Sequence, residues 1–258
     1  MVTKKLFALA SVTALTGLMS TVAASGCSST KTETAADTDA TTPVDAGKTD
    51  AKKPPVDDED SSTSNTCPTK DAIDATKLPW KAPYVEKGAC SDAELAALVK
   101  FVDENDTAKY ADWKSSVANA GCKACIFGKE ADTAWRPLLE NAKGELVGLN
   151  VGGCIAVAAN GGGPVTAGDK GDKCGQSYQN WFDCRFEACA ECPDGDTAAL
   201  QKCLSAASKG ACKKAFDDVG TICGDQEISD AETACNGDKF VFEGPIKGQC
   251  IGLAEGGE

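Results

Sequence analysis

Apolar residues recur at intervals of three and four along much of the chain, the spacing of one face of an α-helix. Ser91 and Glu94 have the spacing of a capping box, the side-chain pair that satisfies backbone N–H groups at a helix N-terminus. A helix is therefore predicted to begin after Ser91, and the same periodicity predicts further helices. The apolar positions on these predicted faces are Leu95, Leu98, Val99 and Val102; Tyr110, Trp113 and Val117; Tyr178, Trp181, Phe182 and Ala188; Leu200, Leu204 and Ala207; and Ala215, Phe216 and Val219.

Residues with capping preferences predict where several of these helices begin and end. The second helix is expected to stop near Gly121, because glycine adopts the left-handed conformation of a C-terminal cap at little cost. Asp196 is a predicted N-cap, and Gly210 marks the end of the helix that follows it. The spacing of Ser229 and Glu232 predicts another capping box.

Glycine and proline interrupt the helical pattern in two places. Residues 150–175 contain eight glycines and are predicted to form a loop, with a sub-boundary of the domain near 161–173. Phe240, Val241 and Phe242 precede a Gly-Pro pair and predict a short strand. The pattern as a whole predicts a mainly α fold of short helices, with irregular glycine-rich loops and a small amount of strand.

The N-terminal segment has the order of a secretory signal peptide. Lys4 and Lys5 precede an uncharged, mainly apolar stretch at residues 6–24, which ends in small residues. This stretch approaches the ~20 apolar residues that cross a bilayer, but threonine, serine and glycine dilute it. Residues 1–26 are therefore predicted to be a signal peptide.

The residues around Cys27 resemble a lipobox, the sequence at which bacterial lipoproteins are cleaved before a cysteine that carries lipid. Ser25 and Gly26 fit the lipobox, whereas Ala24 stands where that family usually has leucine. The resemblance implies that Cys27 carries lipid and, through Ser28, that the protein is sorted to the outer membrane. Ordinary signal cleavage after Ala24 is the alternative and would leave Cys27 as a free thiol.

Residues 27–66 are predicted to form a disordered acidic tether that starts at the lipidated cysteine. Residues 28–66 contain no aromatic residue, leucine or isoleucine, so they cannot bury enough apolar surface to offset the entropy of ordering. The carboxylates at 57–60 suggest calcium binding as an alternative, but nothing there fixes a coordination geometry. A flexible chain of this length spans ~35 Å, which would hold the folded part, residues 67–258, away from lipid headgroups.

The chain contains fifteen cysteines, an odd number. Lipid attachment at Cys27 leaves fourteen that can all pair, and an export signal favours disulfides over free thiols. About seven disulfides are therefore expected within residues 67–258, although spacing does not determine the pairing. The predicted disulfide cysteines are Cys67, Cys90, Cys122, Cys125, Cys154, Cys174, Cys184, Cys189, Cys192, Cys203, Cys212, Cys223, Cys235 and Cys250.

Two CxxC pairs occur among these cysteines, at 122–125 and 189–192. They are too far apart in sequence for a zinc ribbon, and they lack the aromatic and Gly-Pro residues that flank thioredoxin-type redox motifs. Structural disulfides are therefore the favoured interpretation. The first pair, followed by Cys154, also resembles the opening of saposin-type lipid-binding modules, but Cys174 follows later than in that family.

Composition excludes several kinds of chemistry. The chain contains no histidine, which removes Ser-His-Asp and Cys-His catalysis as well as histidine metal sites. Its formal net charge of −13 makes nucleic acid a poor partner. Trp80 and Tyr84 lie in a proline-punctuated loop without helical periodicity, and they form the predicted contact patch.

These features predict a lipid-anchored protein of the outer membrane, facing the periplasm or the cell surface, with a binding or structural role. No catalytic residue, metal ligand or cofactor is predicted. The expected partners are the membrane, through the covalent lipid, and a protein or polysaccharide of the envelope. Two alternatives stay open: a histidine-free hydrolase that needs two acidic side chains in one cleft, and a saposin-like lipid-binding protein that needs an apolar groove between helices.

Overall fold

Helices dominate the computed structural model, as the apolar periodicity predicts. The structure describes residues 67, 69–70, 73–193 and 195–253, so the predicted signal peptide, Cys27 and the tether lie outside the described residues. None of the described helices is long and apolar enough to cross a membrane. A 3-10 turn at Ala75–Lys77 comes first, and a π-helical turn at Lys247–Ile251 comes last. Between them lie α1 (Asp92–Glu104), α2 (Tyr110–Ser116), α3 (Ala120–Ile126), α4 (Val151–Ala159), α5 (Lys170–Ala188), α6 (Thr197–Lys209), α7 (Lys213–Cys223), α8 (Asp225–Cys235) and α9 (Glu243–Ile246).

Helix α1 begins as its capping box predicts. The hydroxyl oxygen of Ser91 accepts the backbone N–H of Glu94 at 3.3 Å, and the Glu94 carboxylate accepts the N–H of Ser91 at 2.7 Å. Leu95, Leu98 and Val102 are buried on the inner face of this helix. Local polar contacts and the apolar stripe therefore specify the same element.

Helix α6 has its predicted start and end. Two other predictions are wrong: the helix end near Gly121 and the helix start at Ser229. The Asp196 carboxylate caps α6 by accepting a backbone N–H at 2.9 Å. Gly121 lies inside α3, because Asn119 accepts the N–H groups of residues 121 and 122 and starts a new helix there. Ser229 lies inside α8 rather than at its start, because the chain re-enters a helix directly after Gly224, whose φ of 90° ends α7.

A small three-stranded sheet lies between α3 and α4 in the chain. Its strands are β1 (Phe127–Lys129), β2 (Leu138–Glu140) and β3 (Leu146–Leu149), with β1 parallel and β3 antiparallel to β2. The strand predicted at 240–242 is wrong. The buried carboxylate of Glu243 accepts the N–H groups of residues 238–240 at 2.6 to 3.2 Å and bends the segment into a turn before α9.

The loop predicted for residues 150–175 is wrong at both ends, because α4 and α5 take up most of it. Glycines let these helices approach closely. A Cβ at Gly152 would lie 2.3 Å from the carbonyl oxygen of Gly175, and a Cβ at Gly175 would lie 2.4 Å from that of Gly152. The sub-boundary predicted near 161–173 falls largely on the short connection between these two packed helices.

Seven disulfides cross-link the described elements, the number that the cysteine count predicts. Five are nested in the sequence, each enclosing the next, and three of these use cysteines in α5 or at its C-terminal end. Cys67–Cys192 crosses all five, and Cys90–Cys122 lies outside the nest and joins the start of α1 to α3. From the outside inward, the nested bonds are Cys125–Cys250, Cys154–Cys235, Cys174–Cys223, Cys184–Cys212 and Cys189–Cys203.

Helix α5 is central to the packing because it contributes to three apolar clusters. Phe182 joins the cluster formed with α1, α2, α3 and the sheet. Cys184 joins the cluster formed with α6, and Cys174 joins the cluster formed with α4, α7 and α8. Polar side chains on α5 are therefore surrounded by protein on several sides.

Candidate functional site

The predicted cysteine sites fall into two groups. Cys27 lies outside the described residues, so its lipid attachment stays a prediction. The fourteen cysteines that follow pair with one another, and neither CxxC motif closes on itself. The sulfur atoms of Cys189, Cys192 and Cys203 lie within 4.8 Å of one another, but each belongs to a disulfide and is not a thiolate ligand for a metal.

The predicted contact patch, Trp80 and Tyr84, is half-buried. Its segment runs beside Trp135, whose carbonyl oxygen accepts the N–H of Tyr84 at 2.8 Å and whose ring packs edge-on against Trp80. The indole N–H of Trp80 donates to Asp172 at 2.9 Å, and the guanidinium carbon of Arg136 lies 4.4 Å from the centre of the Tyr84 ring. Contacts within the chain therefore orient both rings, and contact with a partner stays a prediction.

A second aromatic group surrounds Arg185 on α5, on a helix face for which the sequence predicts core. Tyr178, Trp181 and Arg185 share this face. It contacts Phe216 of α7 and Glu232 of α8. These five residues are called the arginine cluster below.

The arginine cluster is held together by a cation–π contact and by edge-on and tilted ring contacts. The guanidinium carbon of Arg185 lies 3.6 Å from the centre of the Trp181 ring, a distance at which a cation and an aromatic face attract. The Trp181 ring also packs on Tyr178, with ring centres 5.1 Å apart, and on Phe216, with ring centres 5.5 Å apart. Phe216 is 48% exposed, so the cluster is open to solvent on the α7 side.

The electrostatics of this region are dominated by burial. Burial raises the pKa of the Glu232 carboxyl, while its hydrogen bond with Tyr178 and the charge of Arg185 act in the opposite direction. Burial also raises the pKa of Asp183, elsewhere on α5, to about 7, against a hydrogen bond from Gln179 and the charge of Arg185. Burial lowers the pKa of Arg185, whose Nε has no hydrogen-bond partner among the described residues.

No protein-family model matches the chain, and neither a curated protein nor a solved structure shows significant similarity to it. What the arginine cluster can do therefore rests on its chemistry. The exposed Phe216 offers an apolar contact, and the guanidinium stacked on the neighbouring Trp181 adds positive charge beneath it, a combination suited to binding.

The sequence did contain a signal for this cluster. Arg185 is the residue that interrupts the apolar face of the helix predicted around Tyr178 and Trp181. An arginine on such a face must satisfy its charge locally, because burying an uncompensated charge is costly. The residues that complete the cluster, Phe216 beside Trp181 and Glu232 near Arg185, come from other helices and could not be assigned from spacing.

Proposed function

We propose that the protein is a lipid-anchored component of the outer membrane, in which the acidic tether carries a cross-linked helical domain that acts by binding. The disulfide pairing supports the anchor. All fourteen cysteines from Cys67 to Cys250 pair with one another, so Cys27 is the one cysteine of fifteen left for another covalent bond. A lone exported cysteine without such a bond would be a reactive thiol in an oxidising compartment.

The segment that follows the predicted tether supports the same proposal, because it is fixed to the end of α5. Cys67 is bonded to Cys192, just beyond that helix. Lys70 forms an ion pair with Glu187 at 2.5 Å, and its backbone N–H donates to the carbonyl of Ala188 at 3.0 Å. Force on the tether would thus be transmitted through a covalent bond to the centre of the helical domain.

Two surfaces are the candidates for contact with a protein or polysaccharide. In both, a guanidinium group lies over an aromatic ring: Arg136 over Tyr84 in the contact patch, and Arg185 over Trp181 in the arginine cluster. Tryptophan, tyrosine and arginine are enriched among interface residues whose truncation costs most binding energy. These two surfaces therefore offer the side chains from which a binding site is built.

The alternative of a carboxylate hydrolase receives less support from the geometry. The described carboxyl groups with a raised pKa are Asp183 and Glu232. Asp183 accepts the Gln179 amide at 2.9 Å, and the same amide donates to the carbonyl of Leu149 at 3.0 Å, on the sheet side of α5. Glu232 instead contacts Tyr178 on the α8 side. The two carboxyl groups thus lie on different sides of α5, an arrangement that favours binding over paired-carboxylate catalysis.

Mass spectrometry of the protein isolated from its own cells tests the anchor. We expect an intact mass that corresponds to a chain beginning at Cys27 with attached acyl groups. Cys27→Ser should move the protein from the membrane fraction to the soluble fraction. Ala24→Leu, which restores the usual lipobox residue, is the matched control and should keep the protein lipidated. An unmodified chain that begins at Ser25 would contradict the proposal.

Cross-linking on intact cells tests the binding role. We expect a specific cross-linked partner. The yield of the cross-linked product should fall either in the double variant Trp80→Ala, Tyr84→Ala, which alters the contact patch, or in Phe216→Ala, which alters the arginine cluster. Ile222→Ala is the matched control, because Ile222 is another exposed apolar residue of α7, 41% exposed, that lies outside the arginine cluster. Equal yields from all of these variants would show that neither surface contacts the partner.

A further inference from the structure

Two disulfides meet at the C-terminal end of α5. Cys189–Cys203 links this end to α6, and Cys67–Cys192 links the segment after the tether to the same turn. The sulfur atoms of Cys189, Cys192 and Cys203 lie within 4.8 Å of one another, although they belong to different bonds. A thiolate formed in one bond is therefore within side-chain reach of the other, as thiol–disulfide exchange requires.

Cys67 is the most exposed of the four cysteines in this pair of bonds. It is half-buried, whereas the other thirteen disulfide cysteines are buried. Exchange begins when a thiolate attacks an accessible disulfide sulfur. Attack at Cys67 expels Cys192 as a thiolate, next to the sulfur atoms of Cys189 and Cys203.

The backbone between Cys189 and Cys192 is already shaped for a bond between these two residues. The N–H of Cys192 donates to the carbonyl of Cys189 at 3.1 Å and closes a turn. The ends of such a turn lie within about 7 Å of each other, Cα to Cα. Disulfides also span Cα separations of up to about 7 Å, so the CxxC motif can close on itself without a large backbone movement.

We propose that Cys67 is a modification site for a low-molecular-weight thiol, and that its modification rearranges the disulfides of this turn. In the first step the thiolate attacks the Cys67 sulfur, a mixed disulfide forms there, the Cys67–Cys192 bond breaks, and Cys192 leaves as a thiolate. In the second step this thiolate attacks Cys189, the Cys189–Cys192 bond forms, and Cys203 leaves as a thiolate that takes a proton from water. The number of S–S bonds is conserved, so neither an oxidant nor a reductant is consumed.

The rearrangement would change how two elements are attached. The segment at Cys67 loses its disulfide to the turn after α5, and α6 loses its disulfide to the end of α5. Helix α5 keeps its bonds Cys174–Cys223 and Cys184–Cys212. A thiol would thus loosen α6 and the tether attachment while the rest of the disulfides stay in place. This proposal does not depend on lipid attachment.

Peptide mapping after limited exposure to glutathione tests the proposal. The full chain, isolated in its oxidised form, is incubated with glutathione, quenched with acid, alkylated and digested. We expect glutathione on Cys67, an alkylated Cys203 and a linked Cys189–Cys192 peptide before any other disulfide is lost. Glutathione on another cysteine first, or an alkylated Cys192 beside an intact Cys189–Cys203 bond, would overturn the proposal.

A double variant separates the two steps. Cys189→Ser with Cys203→Ser should still take glutathione at Cys67, but should leave the alkylated thiol on Cys192. The CxxC motif at 122–125 is the internal control, because both of its cysteines are buried and should stay in their bonds. If the double variant does not fold, the peptide map of the original sequence decides between the outcomes by itself.

Discussion

Gly175→Ala tests the close packing of α4 on α5. The added Cβ would lie 2.4 Å from the carbonyl oxygen of Gly152 and 2.5 Å from the Cβ of Ala156, both well inside van der Waals contact. Neither neighbour is the end of a flexible side chain, so the two helices must move apart. Overpacking of this kind costs about 1–3 kcal/mol, and the better helix propensity of alanine offsets at most about 1 kcal/mol. Because the closest contact is with a backbone atom, the upper part of the overpacking range applies, about 2–3 kcal/mol. After the propensity offset we therefore expect a net loss of about 1–2 kcal/mol in the free energy of unfolding.

Thermal unfolding of the oxidised protein, followed by circular dichroism, measures this loss. For a domain of this size it should lower Tm by about 2–8 °C. Gly121→Ala is the matched control, because Gly121 is exposed in α3 and the nearest neighbour of its added Cβ, Oδ1 of Asn119, lies 3.4 Å away. The control should be as stable as the original protein or slightly more stable. Equal Tm values for Gly175→Ala and Gly121→Ala would refute the argument that a Cβ at Gly175 collides with α4.

Three further substitutions have defined outcomes. Asp183→Asn removes a carboxyl whose pKa rises from 3.8 to about 7 on folding. Between these pH values the Asp183 carboxyl is protonated in the folded state and ionised in the unfolded state, so the stability of the original protein falls as pH rises. Urea unfolding across pH measures the difference in free energy of unfolding between the variant and the original protein. This difference should shift in favour of the variant as pH rises through that interval and stay constant at higher pH. A difference that does not change with pH would contradict the raised pKa. Arg185→Met removes a positive charge that opposes this rise, so carboxyl NMR should find the pKa of Asp183 displaced further upward, and an unchanged value would show that the two groups are not coupled. Ser91→Ala removes the cap of α1 and should cost about 1 kcal/mol in urea unfolding; no loss would mean that solvent satisfies the freed N–H group equally well.

The helices could largely be predicted because their signals are local. Ser91 with Glu94, and Asp196, cap helices through residues three positions away, and the apolar stripes follow directly from the sequence. Gly152 and Gly175 misled the prediction, because glycine composition favours a loop when nothing else is known. Only the approach of two helices in three dimensions explains why these positions leave no room for a Cβ without a shift of the backbone.

The candidate site was less accessible to sequence reasoning. Cysteine parity predicted seven disulfides, but the partner of each cysteine depends on how the helices pack. Arg185 was visible as an irregularity on an apolar face. Its stacking on Trp181 depends on side-chain conformation, and the contact of Trp181 with the exposed Phe216 depends on the packing of α5 on α7. Cys27 shows the reverse case, because its proposed role rests on sequence alone.

The nested disulfides bear on how the protein is made. Closing a short loop costs less entropy than closing a long one, and the nested bonds span 14, 28, 49, 81 and 125 residues from the inside outward. Each inner bond shortens the chain that the next must bring together, so oxidation can proceed outward from Cys189–Cys203. Only Cys90–Cys122 joins cysteines that are neighbours in the cysteine order. An oxidase that joined thiols in their order of emergence would therefore make mostly wrong bonds, and we expect a host lacking disulfide isomerase to accumulate mispaired protein.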